Sequence, residues 1–389
     1  MKLLNKKNKF LSVIILICAA VAVTFVSVSC SKKKTNPSFA FYNVDEQVSS
    51  AIMQEVYNLS AENNSGCESI ILDNTKPLSE SDLSDADIIF LPGGKLLDKV
   101  LENAVELPAG YFTRLPVSLS KNKKLLPVLV DHYGFAVYST PRKALSLNAP
   151  ETYSELKDFL KKEKQSGLLS APSMCTGKND DEFFGFISNE VLSLYGTEKY
   201  LQLCEEVSKT DGKEIPETLN AVLDELKDLQ KKGLILQSWY DASDKDVLKY
   251  YFPERNIGSF FLSLSFQRKV ENLYIQYYDR VDFPAGISTE KNAIIGSVIY
   301  AVCLKDNPKT LELLSELVSD VAQRNLTDNV KLAPVNKNCY AYDKEADDVR
   351  FWAASSKNGV LPHLGYAAFA EPEKQKIFAD MLRNYLRKN

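Results

Sequence analysis

The chain has 389 residues, 45% of them hydrophobic and 25% charged, with 47 basic and 51 acidic side chains and a net charge of −4. That composition belongs to an ordinary globular protein and offers no basic stripe for nucleic acid or for anionic lipid. Only two histidines occur, His132 and His363, and neither stands in an HExxH or GxSxG setting, so a zinc centre or hydrolytic triad has little to be built from.

The first thirty residues carry a secretion pattern. Lys2, Lys6, Lys7 and Lys9 form a basic start without an acid, and an apolar run from Phe10 to Val28 ends at Ser27-Val28-Ser29-Cys30. Small residues directly before a cysteine predict a bacterial lipoprotein signal over 1–29, with Cys30 acylated and residues 30–37 serving as a solvated tether. The competing reading is an uncleaved transmembrane anchor, since the run is close to spanning length. In both readings the rest of the chain works outside the cytoplasm, tied to a membrane. Losing residues 1–29 removes four lysines and no acid, which takes the net charge from −4 to −8. The remaining chain of about 350 residues exceeds one ordinary core and predicts two domains.

Next comes a short aromatic strand, Ser38–Tyr42, and a helix that Asn43 can cap, with Val48, Ile52, Val56 and Leu59 along one face. Ile70–Leu72 and Asp87–Leu91 read as strands, and Pro92-Gly93-Gly94 ends the second before a helix at Lys95. This order begins an α/β layer with a parallel sheet. Two further strands, Leu125–Val130 and Phe135–Tyr138, flank Asp131-His132-Tyr133-Gly134. Thr152 and Glu155 form a capping box for a helix carrying Leu156, Phe159 and Leu160. A later helix aligns Leu219, Val222, Leu223, Leu226 and Leu229 and stops at Gly233. Strands are expected at Ile257–Leu264, Leu273–Tyr278 and Ile295–Val302. Helices are expected after Pro308, with Leu311, Leu314, Leu317, Val318 and Val321 inside, and at the C-terminus, with Ile377, Met381 and Tyr385 on its apolar face. Cys67, Cys175, Cys204, Cys303 and Cys339 show no CxxC spacing and read as small buried apolar residues, neither a metal site nor a disulfide framework.

Several landmarks, in this order and spacing, resemble the bacterial extracellular solute-binding proteins that feed ABC importers, in the maltose-binding-like branch. They are Phe41-Tyr42-Asn43-Val44-Asp45, the Asp85–Gly94 segment with its glycine turn, Leu126-Pro127-Val128 through Phe135-Ala136-Val137-Tyr138, and Ala149–Leu156 with its proline–threonine–glutamate helix start. Ile295-Gly296-Ser297 with Asn307-Pro308, Leu361-Pro362 and the final helix complete the likeness, which covers nearly all of residues 38–389. The resemblance implies an α/β fold of two hinged, discontinuous lobes: lobe one from 38–137 and 286–330, lobe two from 138–285 and 331–389. It further implies a lipid-anchored, monomeric binding protein that delivers a small polar solute, a carbohydrate first, to ABC permease subunits, with no cofactor, no metal and no catalytic residue.

Carried over by position, the resemblance places Tyr42, Asn43, Asp45, Gly94, Asp131 and Ser297 on the lobe-one wall of a ligand cleft, with His132 and Tyr133 beside the crossing strands. Aspartate and asparagine suit hydroxyl ligands because each can engage two adjacent hydroxyls. His132 reads equally as a hinge or core histidine, and Asp45 equally as a first-turn helix acid. Lobe two would supply aromatic platforms from Trp239, Phe266 and Tyr366, with Trp352 less favoured, although core packing is the commoner fate of an aromatic. Ser263 and Ser265 stand where relatives show glycine–serine–tryptophan, and no tryptophan lies near Ser297. Those departures leave open a non-sugar solute (amino acid, polyamine or metal ion), and a ligand sensor or surface adhesin on the same fold.

Overall fold

Buried aliphatic and aromatic runs form strands here because helices cover both faces of the sheet they enter. The computed structural model describes residues 36–63, 66–167, 169–284 and 293–388. The signal-like segment and Cys30 lie outside them. Strands β1 (Ser38–Phe41), β2 (Glu68–Ile70) and β3 (Ile88–Pro92) run parallel to one another. The long β4 (Leu126–Tyr138) is antiparallel to β6 (Ile257–Ser263), which in turn pairs in parallel with β5 (Ala171–Cys175). β7 (Tyr278–Val281) adds to the C-terminal part of β4, and β8 (Ile294–Cys303) lies antiparallel between β3 and β4. The order is β2-β1-β3-β8-β4-β6-β5, with the short β9 (Ala333–Pro334) on β4 and β10 (Val360–Leu361) on β8.

The helices that matter for the site and the two cores include α1 (Glu46–Glu62), α2 (Lys95–Leu101), α3 (Tyr153–Ser166), α4 (Asp180–Lys209), α5 (Glu217–Lys231) and α6 (Leu264–Gln267). Beyond β8 come α7 (Pro308–Leu317), α8 (Asp320–Val330), α9 (Lys344–Ser355), α10 (Leu364–Ala368) and α11 (Pro372–Arg387). Several boundaries follow from local chemistry. Thr152 and Glu155 satisfy each other's backbone amides in the expected capping box of α3, and Gly167 ends that helix in the left-handed region. Asp45, rather than Asn43, caps α1 by accepting the Gln47 amide.

Side-chain packing divides the molecule into two halves. Phe39, Val48, Ile52, Phe90, Val128, Val130, Leu314, Leu326 and Val349 share one core. Phe135, Phe159, Phe183, Phe186, Leu223, Trp239, Phe261 and Phe378 share the other. The chain changes sides within β4, again between Asp282 and Ile294, and a third time between Ser356 and His363. Two expectations shift accordingly. β4 is one continuous strand, so Asp131–Gly134 does not break it, and the change of side falls near His132 rather than at 137. Leu332, Ala333, Val335, Ala346, Val349 and Ala353 pack into the first core, so the segment 331–355 joins the first half, not the second.

The expected strand at 273–278 is a turn of helix, Asn272–Ile275, followed by β7. The five cysteines among the described residues are unpaired, with Cys175, Cys204, Cys303 and Cys339 buried and Cys67 partly so.

Candidate functional site

Where β4 crosses between the halves, His132 is enclosed completely. Its Nε2 lies 3.0 Å from Asp282 Oδ1, and Arg280 donates to the His132 carbonyl and, at 3.3 Å, to Nδ1. Because a guanidinium has only donors, that contact assigns the imidazole proton to Nε2. Trp352 stands against the ring at 5.2 Å. His132 and Trp352 therefore pack together where β4 passes between the halves, and neither lines the cavity beside them.

Immediately to either side, the β4 residues turn toward a cavity of about 380 Å³ between the halves. Asp131 pairs across the sheet with Ser297 of β8, and Tyr133 pairs with Ser263 of β6, so one strand supplies wall residues to both halves. Asp131 Oδ1 accepts the amides of His132 at 2.8 Å and of Ser265 at 3.0 Å, which leaves Oδ2 facing the cavity. From the first half, two residues past the end of β1, comes Asn43, held at a φ of 55° that asparagine tolerates better than most residues. Asp45 follows and reaches Lys269 of the second half at 2.9 Å.

The opposite wall is the start of α4. Asn179 caps the helix by accepting the Asp181 and Glu182 amides, and Asp180, Asp181 and Glu182 fill the first turn, where the helix dipole favours negative charge. Each acid has a different fate. Asp180 pairs with Arg383 at 2.7 Å. Asp181 accepts from the Tyr366 hydroxyl at 3.2 Å and lies 3.5 Å from His363 Nε2. Burial alone would raise its pKa, but the histidine and tyrosine contacts outweigh burial and hold it below the usual range. Glu182 grips the amide of Ser263 at 2.7 Å and its hydroxyl. Burial, opposed by those two bonds and reinforced by Asp131 and Asp244, pushes Glu182 up to about 8. Burial would lower Lys269, yet Asp45 reverses this and raises it.

Asn43, Asp45, Asp131, Tyr133, Ser263, Phe266, Ser297 and Tyr366, all expected at a cleft from sequence, line this one cavity. Four expected residues do not. Tyr42 is buried in the first half and donates its hydroxyl to the Lys76 carbonyl. Trp239 is wholly buried, stacked on Phe183 and edged by Phe186, because its indole fills the second core. His132 is enclosed against Trp352. Gly94 borders a separate groove with Pro362 and Ala367, and a Cβ there would stand 2.3 Å from the Tyr366 carbonyl.

The sequence reading missed Asn179, Asp180, Asp181, Glu182, Lys269 and Gln375, which also line the cavity. Their one visible signal was asparagine followed by three acids, which reads as a helix start and nothing more. The lining mixes hydroxyls, amides and carboxylates with the rings of Tyr133, Phe266 and Tyr366, a surface suited to a small polar ligand with an apolar face. Among the described residues no group of histidine, cysteine or acid side chains is arranged to hold a metal ion, and no helix is long and apolar enough to cross a membrane.

No family model and no curated protein matches the sequence. Solved structures do. The bacterial solute receptor AcbH, described as having an exclusive preference for β-D-galactopyranose, superposes with a TM-score of 0.70 at 11% identity over 90% of this chain and 98% of its own. The binding protein MsmE of Bacillus subtilis, in an open conformation, gives 0.68 at 14% identity over 91% and 96%. RafE of Streptococcus pneumoniae in its apo form gives 0.63 at 11% identity over 92% and 98%. The likeness spans nearly the whole of each chain and establishes a two-lobed solute-binding fold of the maltose-binding type. These neighbours are binding proteins rather than enzymes.

Proposed function

We propose that this chain captures a small carbohydrate between its two halves and hands it to the permease of an ABC importer. The protein is exported through its first 29 residues and held at the membrane by lipid on Cys30. The observation that carries the reading is Asp131. It is 8% exposed, fixed by two backbone amides through Oδ1, and offers Oδ2 to a cavity walled by both halves. A carboxylate so oriented is a strong acceptor for sugar hydroxyls. Asn43, Ser263, Ser265, Ser297 and Gln375 surround it with further donors and acceptors. The volume suits a monosaccharide or a short oligosaccharide rather than a long chain. Neither tryptophan lines the cavity, so the rings of Tyr133, Phe266 and Tyr366 take the stacking role.

A thermal-shift screen over sugars, amino acids, polyamines and metal ions tests this. A hundredfold excess of ligand over its dissociation constant stabilises the closed protein by about 2.7 kcal/mol. The expected outcome is a shift with a sugar that disappears in Asp131→Ala. Silence across the sugars with a response to another class would reassign the ligand, and an unchanged shift in Asp131→Ala would remove that residue from the site. Labelled palmitate should enter the wild-type protein and not Cys30→Ala.

A further inference from the structure

A closed ring of hydrogen bonds lies behind the cavity wall. Asp131 Oδ1 accepts the Ser265 amide at 3.0 Å, which joins β4 to α6 at the cavity surface. Two residues further along α6, Gln267 Oε1 accepts from Arg280 Nη1 at 3.1 Å. Arg280 Nη2 donates to the carbonyl of His132, the residue that follows Asp131. The ring therefore has two covalent arms, Asp131-His132 and Ser265-Phe266-Gln267. It is closed once on the cavity side and once behind it. Arg280, Gln267 and His132 are buried, and none of the three lines the cavity.

The order of donors and acceptors in this ring is fixed. A guanidinium only donates, so Gln267 turns its side-chain oxygen to Arg280, and its amide nitrogen then donates to Glu345 Oε1 at 2.8 Å. The other Glu345 oxygen receives Arg268 at 2.7 Å. Behind β4, His132 Nε2 donates to Asp282 Oδ1 at 3.0 Å. That imidazole needs bare backbone at Gly134, where a Cβ would stand 2.5 Å from His132 Cε1. An arginine so deeply buried carries a desolvation cost that an aliphatic side chain would avoid. Its forked donors, however, reach a strand and a helix at once. A helix of four residues does not fix its own position, so that of Ser265 is imposed by its surroundings.

We infer that Gln267 and Arg280 are positioning residues for ligand capture, acting through Ser265 and Asp131. The ring holds the α6 wall in register with β4 before a ligand arrives. The consequence for binding rests on the carbohydrate reading above; the register of the wall does not.

Amide hydrogen exchange of the ligand-free protein, followed by NMR, reads that register. The reference is the Leu223 amide in α5, outside the ring, which removes a general loss of stability from the comparison. Relative to it, Ser265 should lose at least tenfold in protection in Gln267→Met, which keeps the bulk and removes both bonds. Gln267→Glu, which sets a carboxylate against Glu345, should do the same. The double variant Gln267→Glu with Glu345→Gln reverses the order of that bond and should return Ser265 to within threefold of the wild type. Unchanged protection in Gln267→Met, or a double variant as weak as Gln267→Glu, overturns the proposal. If Gln267→Glu does not fold, Gln267→Met against the wild type decides. Calorimetry with D-glucose, D-galactose and D-xylose adds the ligand. Whichever of them binds the wild type should bind Gln267→Met at least tenfold more weakly and the double variant within threefold. Equal affinity in the wild type and Gln267→Met overturns the positioning role. No binding of any of the three by the wild type counts against the carbohydrate reading, and the exchange result then decides the ring alone.

Discussion

Glu163 illustrates how a single side chain can set a pH dependence far from the ligand. It lies on α3 with no exposed surface, neither carboxyl oxygen has a hydrogen-bond partner, and a Cβ at Gly258 would stand 2.6 Å from Oε2. Burial in that apolar setting pushes it up to about 8 from an ordinary 4.5. Between those values the folded protein holds a proton that the unfolded chain has released, so folding binds protons. Stability must then fall as pH rises from about 4.5 to about 8 and level off above it. Glu182 and Glu190, also raised to about 8 by burial in the same half, add to the slope. Melting temperatures of the wild type should therefore decline from pH 5 to pH 8. Glu163→Gln should flatten part of that decline and exceed the wild type by a few kcal/mol at pH 8.5, with about 5 kcal/mol as the ceiling. Parallel curves for the two proteins would show that Glu163 does not titrate in this window.

At the scale of one element, α6 carries more of the site than its four residues suggest. Ser263 caps it by accepting the Phe266 amide, and Ser265, Phe266 and the following Lys269 face the cavity. Its other side is anchored to the first half. Gln267 donates to Glu345 at 2.8 Å, and Arg268 bridges Glu345, Asp343 and the Lys331 carbonyl. So short a helix has little stability of its own; those anchors hold its cavity side in place. Arg268→Ala, which touches no ligand, should weaken binding on the order of tenfold through loss of that positioning. Titration of the same sugar against both proteins checks it, and equal affinities would mean that the Ser263 cap and the burial of Leu264 suffice.

None of these anchors was legible in the sequence, because they join residues 63 to 78 positions apart. What could be read was local. The capping box at Thr152, the leucine face of α5 and the strand at Ile257 all appear as expected, since periodicity and caps act over a few residues. Reading failed where tertiary context decides. In α11, Ile377 is 61% exposed, while Phe378, Ala379, Leu382 and Leu386 are buried, a face offset by one residue that hydrophobicity alone did not separate. Trp239 and the Asp180–Glu182 turn show the same limit in opposite senses. An aromatic resembles a platform until the core around it is known, and a helix start resembles nothing more until a cavity opens beside it.

For the whole molecule, function depends on how the two halves meet. Contacts that cross between them among the described residues include Asp45 to Lys269, Lys99 to Glu371 at 2.8 Å, the Ser265 amide to Asp131, and the Arg268 cluster. Partly exposed ion pairs contribute about 0–1 kcal/mol each, so these ties bias closure without making it independent of ligand. Differential contact with a bound solute supplies the rest. Gly94 sets the limit of approach. It precedes α2 with a φ of 144°, and its α-carbon lies so near the Tyr366 carbonyl of the other half that any side chain would collide when the halves close. In an open form the same position would be unobstructed by Tyr366, leaving only the cost of the unusual backbone angle. Gly94→Val should therefore fold, bind sugar at least tenfold more weakly, and stay extended in small-angle X-ray scattering when sugar is added, while the wild type contracts. An equal contraction in both proteins would mean that the α2–α10 approach is incidental and that closure is limited elsewhere, at β4 or along α6.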